Sequence, residues 1–287
     1  MPLDSIAEIL ASCSERNLAF WQVVLEADVE ERQVSAEASF EKMRATWRAM
    51  LDSAESYDGG LRSVSGLSGG DGELMLRYAA GGAALGGGYI SEVIATALCV
   101  GESNACMRKI VAAPTAGACG VLPAVLVPLY RRGEREEDIL RALYTAAGIG
   151  AVINSRASIS GAAGGCQAEI GSASAMAAGA LAQLRGGGPE QTANALAMAL
   201  KNLMGLICDP VAGLVEVPCV KRNVIGAVNA VSCADMALAG ITSRIPADEV
   251  IDCMGIVGER LPREFRETAR GGLAATPTGR AAWKQLK

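Results

Sequence analysis

Long runs of small residues limit what this chain can fold into more than any other feature of its sequence. Glycine and alanine are abundant in residues 145–184, and only 4% of all residues are aromatic. Small side chains let helices approach one another closely, whereas a β-sandwich is rich in β-branched and aromatic side chains. No stretch sustains the alternation of apolar and polar residues that a half-buried strand shows. We therefore predict an all-α fold, a compact helical domain with functional loops rich in Gly, Pro and Cys.

Apolar residues at helical spacing begin at Ile6, where Ser5 or Asp4 can cap the first helix. The pattern predicts helical structure over residues 4–54, which a break near residues 28–33 would divide into two helices. Further helices are predicted over residues 89–107, 124–130, 136–153, 167–184, 190–206, 224–241 and 246–258. The remaining connections read as loops: a Gly/Ser segment at residues 57–72, a glycine cluster at 81–88, a turn at 113–123, and loops at 154–166 and 208–223. We expect a single domain over residues 1–287, with a largely irregular tail at 262–287.

The charge pattern excludes several classes of protein. The net charge is −5, whereas a nucleic-acid-binding domain more often carries a basic face. Asp4 and Glu8 stand where a signal peptide needs an apolar run. Arg156 and Glu169 interrupt the apolar stretch around them, which makes a membrane span costly. We expect a cytoplasmic protein that binds neither nucleic acid nor membrane.

The chain has nine cysteines and no histidine. An odd number of cysteines without a secretory signal argues against a disulfide framework. The lack of histidine excludes His-ligated zinc and a Ser-His-Asp triad formed by this chain alone. A general base must therefore be Lys, Glu, Asp, Tyr or Cys, or must come from another chain.

Three cysteines differ from the others in their surroundings. Cys166 follows the sequence GAAGG, Cys208 precedes Asp-Pro, and Cys219 follows Val-Pro. Glycine and loop positions allow several thiolates to converge on one small volume, as a metal cluster requires. Their spacing also fits buried structural thiols, and both interpretations remain open on spacing alone. For the other six cysteines, which are Cys13, Cys99, Cys106, Cys119, Cys233 and Cys253, we expect core packing.

Four long segments resemble the alpha chain of bacterial iron–sulfur L-serine dehydratases. They are VAAPTAGACGVLPAVL (111–126), ISGAAGGCQAEIGSASAMAAGAL (159–181), CDPVAGLVEVPCVKRN (208–223) and the tail LPREFRETARGGLAATPTG (261–279). The resemblance extends from about residue 57 to the C-terminus. It implies a mainly helical catalytic unit and a [4Fe-4S] cluster held by Cys166, Cys208 and Cys219, without pyridoxal phosphate. The implied activity is the conversion of L-serine to pyruvate and ammonia.

Three ligands suit this chemistry, because an iron left open can act as a Lewis acid on the β-hydroxyl of serine. A base must also remove the α-proton. The resemblance implies a second part, fused or separate as a beta chain, that carries a histidine proposed to serve in catalysis. Nothing in this sequence looks like that part. We therefore expect a heteromer, or a larger oligomer, with an L-serine dehydratase beta chain.

Other candidate residues rest on local sequence. The turn with Thr115 and Gly117 can open a helix whose N–H groups bind the substrate carboxylate, or it can be an ordinary Pro-Gly turn. Lys221 and Arg222 can bind that carboxylate, offset the charge of the cluster, or lie on the surface. Ser160, like Ser158, can face the cluster or cap the next helix. The base is not identified; Lys221, Glu169 and, less directly, Glu216 are this chain's candidates.

Two alternatives stay open. The first is another iron–sulfur hydro-lyase or desulfidase that acts on a related small amino acid such as threonine or cysteine. The second is a non-catalytic helical assembly protein whose cysteines hold a structural zinc or nothing. The second alternative predicts colourless protein, whereas a cluster predicts visible absorption.

Overall fold

The structure is a computed structural model in which residues 4–286 are described. These residues form α-helices and single helical turns, and no β-strand occurs among them. The α-helices are α1 (Ile6–Arg16), α2 (Phe20–Arg32), α3 (Ala36–Glu55), α4 (Asp71–Ala80), α5 (Gly87–Ala105), α6 (Val121–Arg131), α7 (Glu136–Arg156), α8 (Gly161–Gly164), α9 (Ser172–Leu184), α10 (Pro189–Asn202), α11 (Cys219–Leu238), α12 (Ala247–Arg260) and α13 (Pro277–Gln285). The predicted all-α class is confirmed, while the single-domain organisation stays a prediction.

Helix α9 runs through the centre of the fold. It consists mainly of small residues, and every residue from Ser172 to Ala182 is buried. Helices α7, α10 and α11 pack around it. A Cβ atom on Gly179 would lie only 2.3 Å from Cδ1 of Ile149 in α7. The small residues thus allow the close helix packing that their abundance predicts.

A matched pair of glycines tests this packing. A Cβ atom on Gly148 would lie 2.3 Å from Cγ2 of Val24, whose β-branched side chain is stiff and buried. Gly148→Ala should therefore lower the free energy of unfolding by about 1–2 kcal/mol, because overpacking outweighs the helix propensity of alanine. Gly101→Ala is the control, since its Cβ would lie 3.4 Å from Val220, an ordinary contact. Urea unfolding followed by circular dichroism measures both, and equal stability of the two variants would contradict the packing argument.

The N-terminal region contains three helices rather than the two predicted. Ser5 caps α1 as predicted, with its hydroxyl accepting from Glu8 N. Helices α1 and α2 end at Asn17 and Gln33, which both adopt left-handed backbone conformations. The second break agrees with the prediction. The first was missed because no glycine or proline marks it.

Two other predictions about helix positions are wrong, and one helix was not predicted. Helix α11 begins at Cys219 and not at residue 224, so the loop predicted over 208–223 is shorter. Helix α4 was not predicted. The tail is not irregular over residues 277–285, because Pro277 occupies the first turn of α13 and the Thr276 hydroxyl accepts from Gly279 N. Pro189 does begin α10, as predicted.

The six cysteines expected in the core differ in their exposure. Cys13, Cys99, Cys119 and Cys233 are buried, as predicted. Cys106 is half-buried at the end of α5. Cys253 is exposed, which corrects the prediction: it lies on the solvent side of the amphipathic helix α12. In the part of the chain that the structure describes, no helix combines the length and apolar character that a membrane span needs.

Candidate metal centre

The three cysteines singled out by the sequence come together in the fold. Cys166 follows the single turn α8, Cys208 lies in the loop after α10, and Cys219 is the first residue of α11. The Cys208 thiol donates a hydrogen bond to the Cys166 sulfur, and Cys219 lies close enough for its charge to raise the pKa of Cys208. Cys166 and Cys208 are buried, and Cys219 is half-buried. Three segments distant in sequence thus bring their sulfur atoms to one place.

Cys166 is placed by the residues on either side of it. Gly165 has φ +77°, and a Cβ there would lie 2.6 Å from Cδ1 of Leu261, so this position favours glycine. Gln167 is buried, and its backbone N–H donates to Leu206 O at 2.9 Å. Its side-chain oxygen accepts from Gly205 N at 2.8 Å. Gln167 therefore ties the Cys166 segment to the loop that leads to Cys208.

Cys208 is held by a segment near the end of the chain, which we call the C-terminal strap (residues 261–273). The backbone N–H of Cys208 donates to Phe265 O at 2.8 Å, and the carbonyl of Cys208 accepts from Glu267 N at 3.0 Å. The neighbouring Asp209 is buried, and its Oδ2 accepts from Leu273 N at 2.8 Å. The strap therefore fixes the backbone of Cys208 on both sides.

Cys219 is placed by the start of α11 and by Asn223, one turn later. The Asn223 amide donates to Cys219 O at 3.0 Å and to Gly117 O at 2.8 Å, and its oxygen accepts from Gly120 N at 2.8 Å. The turn predicted at residues 113–123 is thereby fastened to the helix that carries Cys219. That turn contains a single 3-10 turn over Ala116–Ala118 rather than the start of a long helix.

Arg222 faces the thiols from within the protein. Only 12% of its side chain is exposed; its Nη2 lies 2.8 Å from Asp209 Oδ1, and its Nη1 donates to Ile207 O at 2.8 Å. The hydrogen bond from Cys208 and the nearby Arg222 charge lower the pKa of the Cys166 thiol. Burial raises the pKa of Cys219 to about 12. Arg222 and the Cys208 thiol therefore act on the pKa of Cys166 in the direction opposite to burial.

A carboxylate lies beside the thiols. The Thr115 hydroxyl donates to Glu169 Oε1 at 2.8 Å, and burial raises the pKa of Glu169. A Cβ on Gly161 would lie 2.6 Å from Glu169 Oε2 and 3.1 Å from Cys208 Sγ, and one on Gly117 would lie 3.4 Å from Glu169 Oε1. These two glycines leave room beside the carboxylate and the sulfur that any side chain would fill.

The remaining sequence candidates form contacts with groups other than the thiols. Lys221 is exposed, and its ammonium lies 2.6 Å from Asp71 Oδ2. Ser160 is exposed as well, and its backbone N–H donates to Ser158 Oγ at 3.1 Å. Glu216 is buried and accepts from Ser63 and Ser65. The contacts therefore group Thr115, Gly117, Glu169 and Arg222 with the three cysteines, whereas these three residues have other partners.

The donor set is chemically suited to an iron–sulfur cluster, because such clusters are held by cysteine thiolates. Within residues 4–286, no three His, Cys, Asp or Glu side chains are arranged to hold one metal ion. The thiols nevertheless lie within mutual electrostatic reach. The space beside Cys208 and Gly161 is consistent with such a cluster.

Sequence reasoning missed Asp209, Asn223 and the C-terminal strap. Asp209 and Asn223 both lie within segment 208–223, which the sequence analysis had already singled out. A buried arginine needs an acidic partner, so Arg222 could have pointed to Asp209. The strap carries no local signal, because it acts through backbone hydrogen bonds to residues far away in the sequence.

Comparison with known proteins places the chain in a family. The family model for the serine dehydratase alpha chain matches residues 15–274. A probable L-serine dehydratase alpha chain of Bacillus subtilis is 46% identical over 283 residues, covering 98% of this chain and 94% of that protein. The L-serine dehydratase alpha chain of Peptoniphilus asaccharolyticus is 40% identical and covers 96% of each. An L-serine dehydratase of Streptomyces coelicolor is 47% identical over 181 residues, which are 62% of this chain but only 40% of that protein. The chain is therefore a member of the serine dehydratase alpha chain family, whose named relatives are lyases.

Proposed function

We propose that this chain is the cluster-bearing alpha chain of an iron–sulfur L-serine dehydratase, which converts L-serine to pyruvate and ammonia. The observation that carries the proposal is the convergence of Cys166, Cys208 and Cys219 beside Arg222 and Glu169, in a chain of this family. The reaction breaks the Cα–H and Cβ–O bonds of serine and releases water. The resulting aminoacrylate tautomerises to an imine, whose hydrolysis gives pyruvate and ammonia.

Cys166, Cys208 and Cys219 would hold the [4Fe-4S] cluster. The chemistry that a bound cluster would supply is Lewis acidity, at the iron without a thiolate, toward the β-hydroxyl of serine. Arg222 and Asp209 are held to each other inside the protein, so Arg222 would offset the negative charge of the thiolates rather than reach out to substrate. Of the roles left open by the sequence, the ion pair with Asp209 thus favours the offset of cluster charge over binding of the substrate carboxylate.

The turn that contains Thr115 and Gly117 is the part of this chain best placed to bind the substrate. It faces Glu169 and is fastened to the Cys219 helix by Asn223. Its backbone lies where a small zwitterion could be held close to the cysteines. Lys221 and Ser160 are poorer candidates for substrate binding. Lys221 forms an exposed ion pair with Asp71, and Ser160 is exposed.

Glu169 is this chain's best candidate for moving the α-proton. Its carboxylate lies beside Cys208 and its raised pKa, caused by burial, suits a group that exchanges protons. Lys221 is a poorer candidate, because an ammonium held by Asp71 has no lone pair to accept a proton. We propose that a beta chain supplies the principal base, and that the assembled heteromer works in the cytoplasm without pyridoxal phosphate.

The proposal is tested by anaerobic purification of the chain. We expect brown protein with broad visible absorption and about four irons per chain after reconstitution. Air should bleach the colour, since an open iron is readily lost. With the beta chain added, serine should yield pyruvate. Colourless protein that binds no iron after reconstitution would instead favour a helical assembly protein.

A comparison of substrates distinguishes an L-serine dehydratase from a related iron–sulfur hydro-lyase or desulfidase. Turnover of threonine or cysteine with a larger kcat/KM than serine would identify a related hydro-lyase or desulfidase. The chemistry of the thiols would be the same for each substrate, so iron content cannot replace this comparison. The relatives named above are called serine dehydratases, which favours serine.

A further inference from the structure

The Gly/Ser segment (residues 57–72) has no role in the chemistry described so far, yet the fold anchors it firmly. Its two ends meet at Glu102, a carboxylate that is 1% exposed. Glu102 accepts from the Tyr57 hydroxyl at 2.6 Å and from the backbone of Asp71 and Gly72 at 2.9 and 3.1 Å. The ends are therefore fixed independently of what holds the middle.

The middle of the segment is held by a second buried carboxylate, Glu216. Glu216 Oε2 accepts from the hydroxyls of Ser63 at 2.7 Å and Ser65 at 2.6 Å. The same two hydroxyls accept from Ser68 N and Leu67 N. Each serine thus gives its one proton to Glu216 while its oxygen organises the segment. Without Glu216, both hydroxyls would lose their common acceptor.

Glu216 also belongs to the turn that presents Cys219. Its carbonyl accepts from Val220 N at 2.9 Å, in the first turn of α11. On the other side of Cys219, Lys221 pairs with Asp71 at the end of the segment. The segment is therefore fastened to residues on both sides of a proposed cluster ligand, at the start of α11.

We infer that Glu216 is a positioning residue for amino-acid binding: it holds the Gly/Ser segment as a wall of the site next to Cys219. This inference rests on the proposed function. Because the ends stay fixed by Glu102, loss of Glu216 frees the middle of the segment without unfolding the chain. The substrate then meets a mobile wall, so KM rises while the ligands of the cluster stay in place.

Arg62 provides a direct readout, because trypsin cleaves after arginine and this residue lies in the segment. Its side chain is exposed, but its guanidinium donates to Gly59 O and Leu61 O. Cleavage needs local opening of the backbone around it. In Glu216→Ala we expect cleavage after Arg62 to be at least about tenfold faster, given two hydrogen bonds to a charged group.

The same variant, assayed with the partner chain, should show a serine KM at least about tenfold higher, with kcat less affected and iron content near that of the wild type. Glu216→Gln should recover most of both effects, because its amide oxygen still accepts from a serine. The double variant Ser63→Ala/Ser65→Ala should show the same faster cleavage and higher KM as Glu216→Ala. It replaces Glu216→Ala in the test if that variant folds poorly. Glu92→Gln is the matched control, since Glu92 forms only an exposed pair with Arg132.

Several outcomes would overturn the inference. They are unchanged cleavage and KM, faster cleavage spread over the whole chain, a fall in kcat at constant KM, or iron loss as severe as in Cys219→Ser. A wild-type protein that turned over no serine would instead refute the proposed function. The cleavage rate after Arg62 would still show whether Glu216 holds the segment.

Discussion

Replacing Cys208 with serine should remove most of the bound iron and lower serine turnover by more than about 100-fold. Loss of residues that merely support metal ligands already costs about 10–100-fold, and a ligand should cost more. The same loss is expected for Cys166→Ser and Cys219→Ser, because each thiol comes from a separate segment and none can substitute for another. Iron analysis, the visible spectrum and a pyruvate assay under anaerobic conditions measure the effect.

Cys253→Ser is the matched control, because Cys253 is exposed and lies outside the candidate metal centre. It should keep the iron and activity of the wild type. Full iron loading of Cys208→Ser, with unchanged colour, would remove Cys208 from the ligand set. Iron loss in the control as large as in the three variants would show that the assay reports general damage.

Addition of the beta chain should raise serine turnover by about 10²–10⁴-fold, the usual contribution of a positioned acid or base. The chain has no histidine, and Lys221 is engaged by Asp71. A lone alpha chain would also leave its site open to water, which weakens electrostatic stabilisation of developing charge. We expect the purified chain to take up iron on reconstitution while forming little pyruvate.

The experiment compares pyruvate formation by the reconstituted chain with and without its partner. Full turnover by the alpha chain alone would contradict the prediction and direct attention to Glu169. In that case Glu169→Gln should abolish the activity, since it keeps the size of the side chain and the hydrogen bond from Thr115 but cannot accept the proton.

The sequence predicted helical segments better than their ends. The start of α11 was missed because two prolines and an irregular apolar pattern precede Cys219, although Pro218 is well placed to precede a helix. Helix α13 was missed because TPTG reads as a turn, whereas Thr276 caps the helix and Pro277 occupies its first turn. In both cases the residues that suggested a loop are those that begin a helix.

The candidate metal centre was only partly accessible from sequence. The resemblance singled out the three cysteines, because their surrounding segments are long and unusual. It could not show that Arg222 is tied to Asp209, or that Lys221, one residue earlier, points to the surface. Adjacent residues in a helix point in directions about 100° apart, so neighbouring cations need not share a role. The strap depends on long-range backbone hydrogen bonds, which leave no local pattern.

The position of the strap near the end of the chain also determines when the cysteine site can form during biosynthesis. During translation, Cys166, Cys208 and Cys219 leave the ribosome well before Phe265 and Glu267, which fix the backbone of Cys208. At about 5–20 residues per second, the nascent chain carries these thiols for several seconds before the strap can close. Iron delivered in that interval would meet an unformed pocket, so the cellular machinery that donates it should act after the strap has folded.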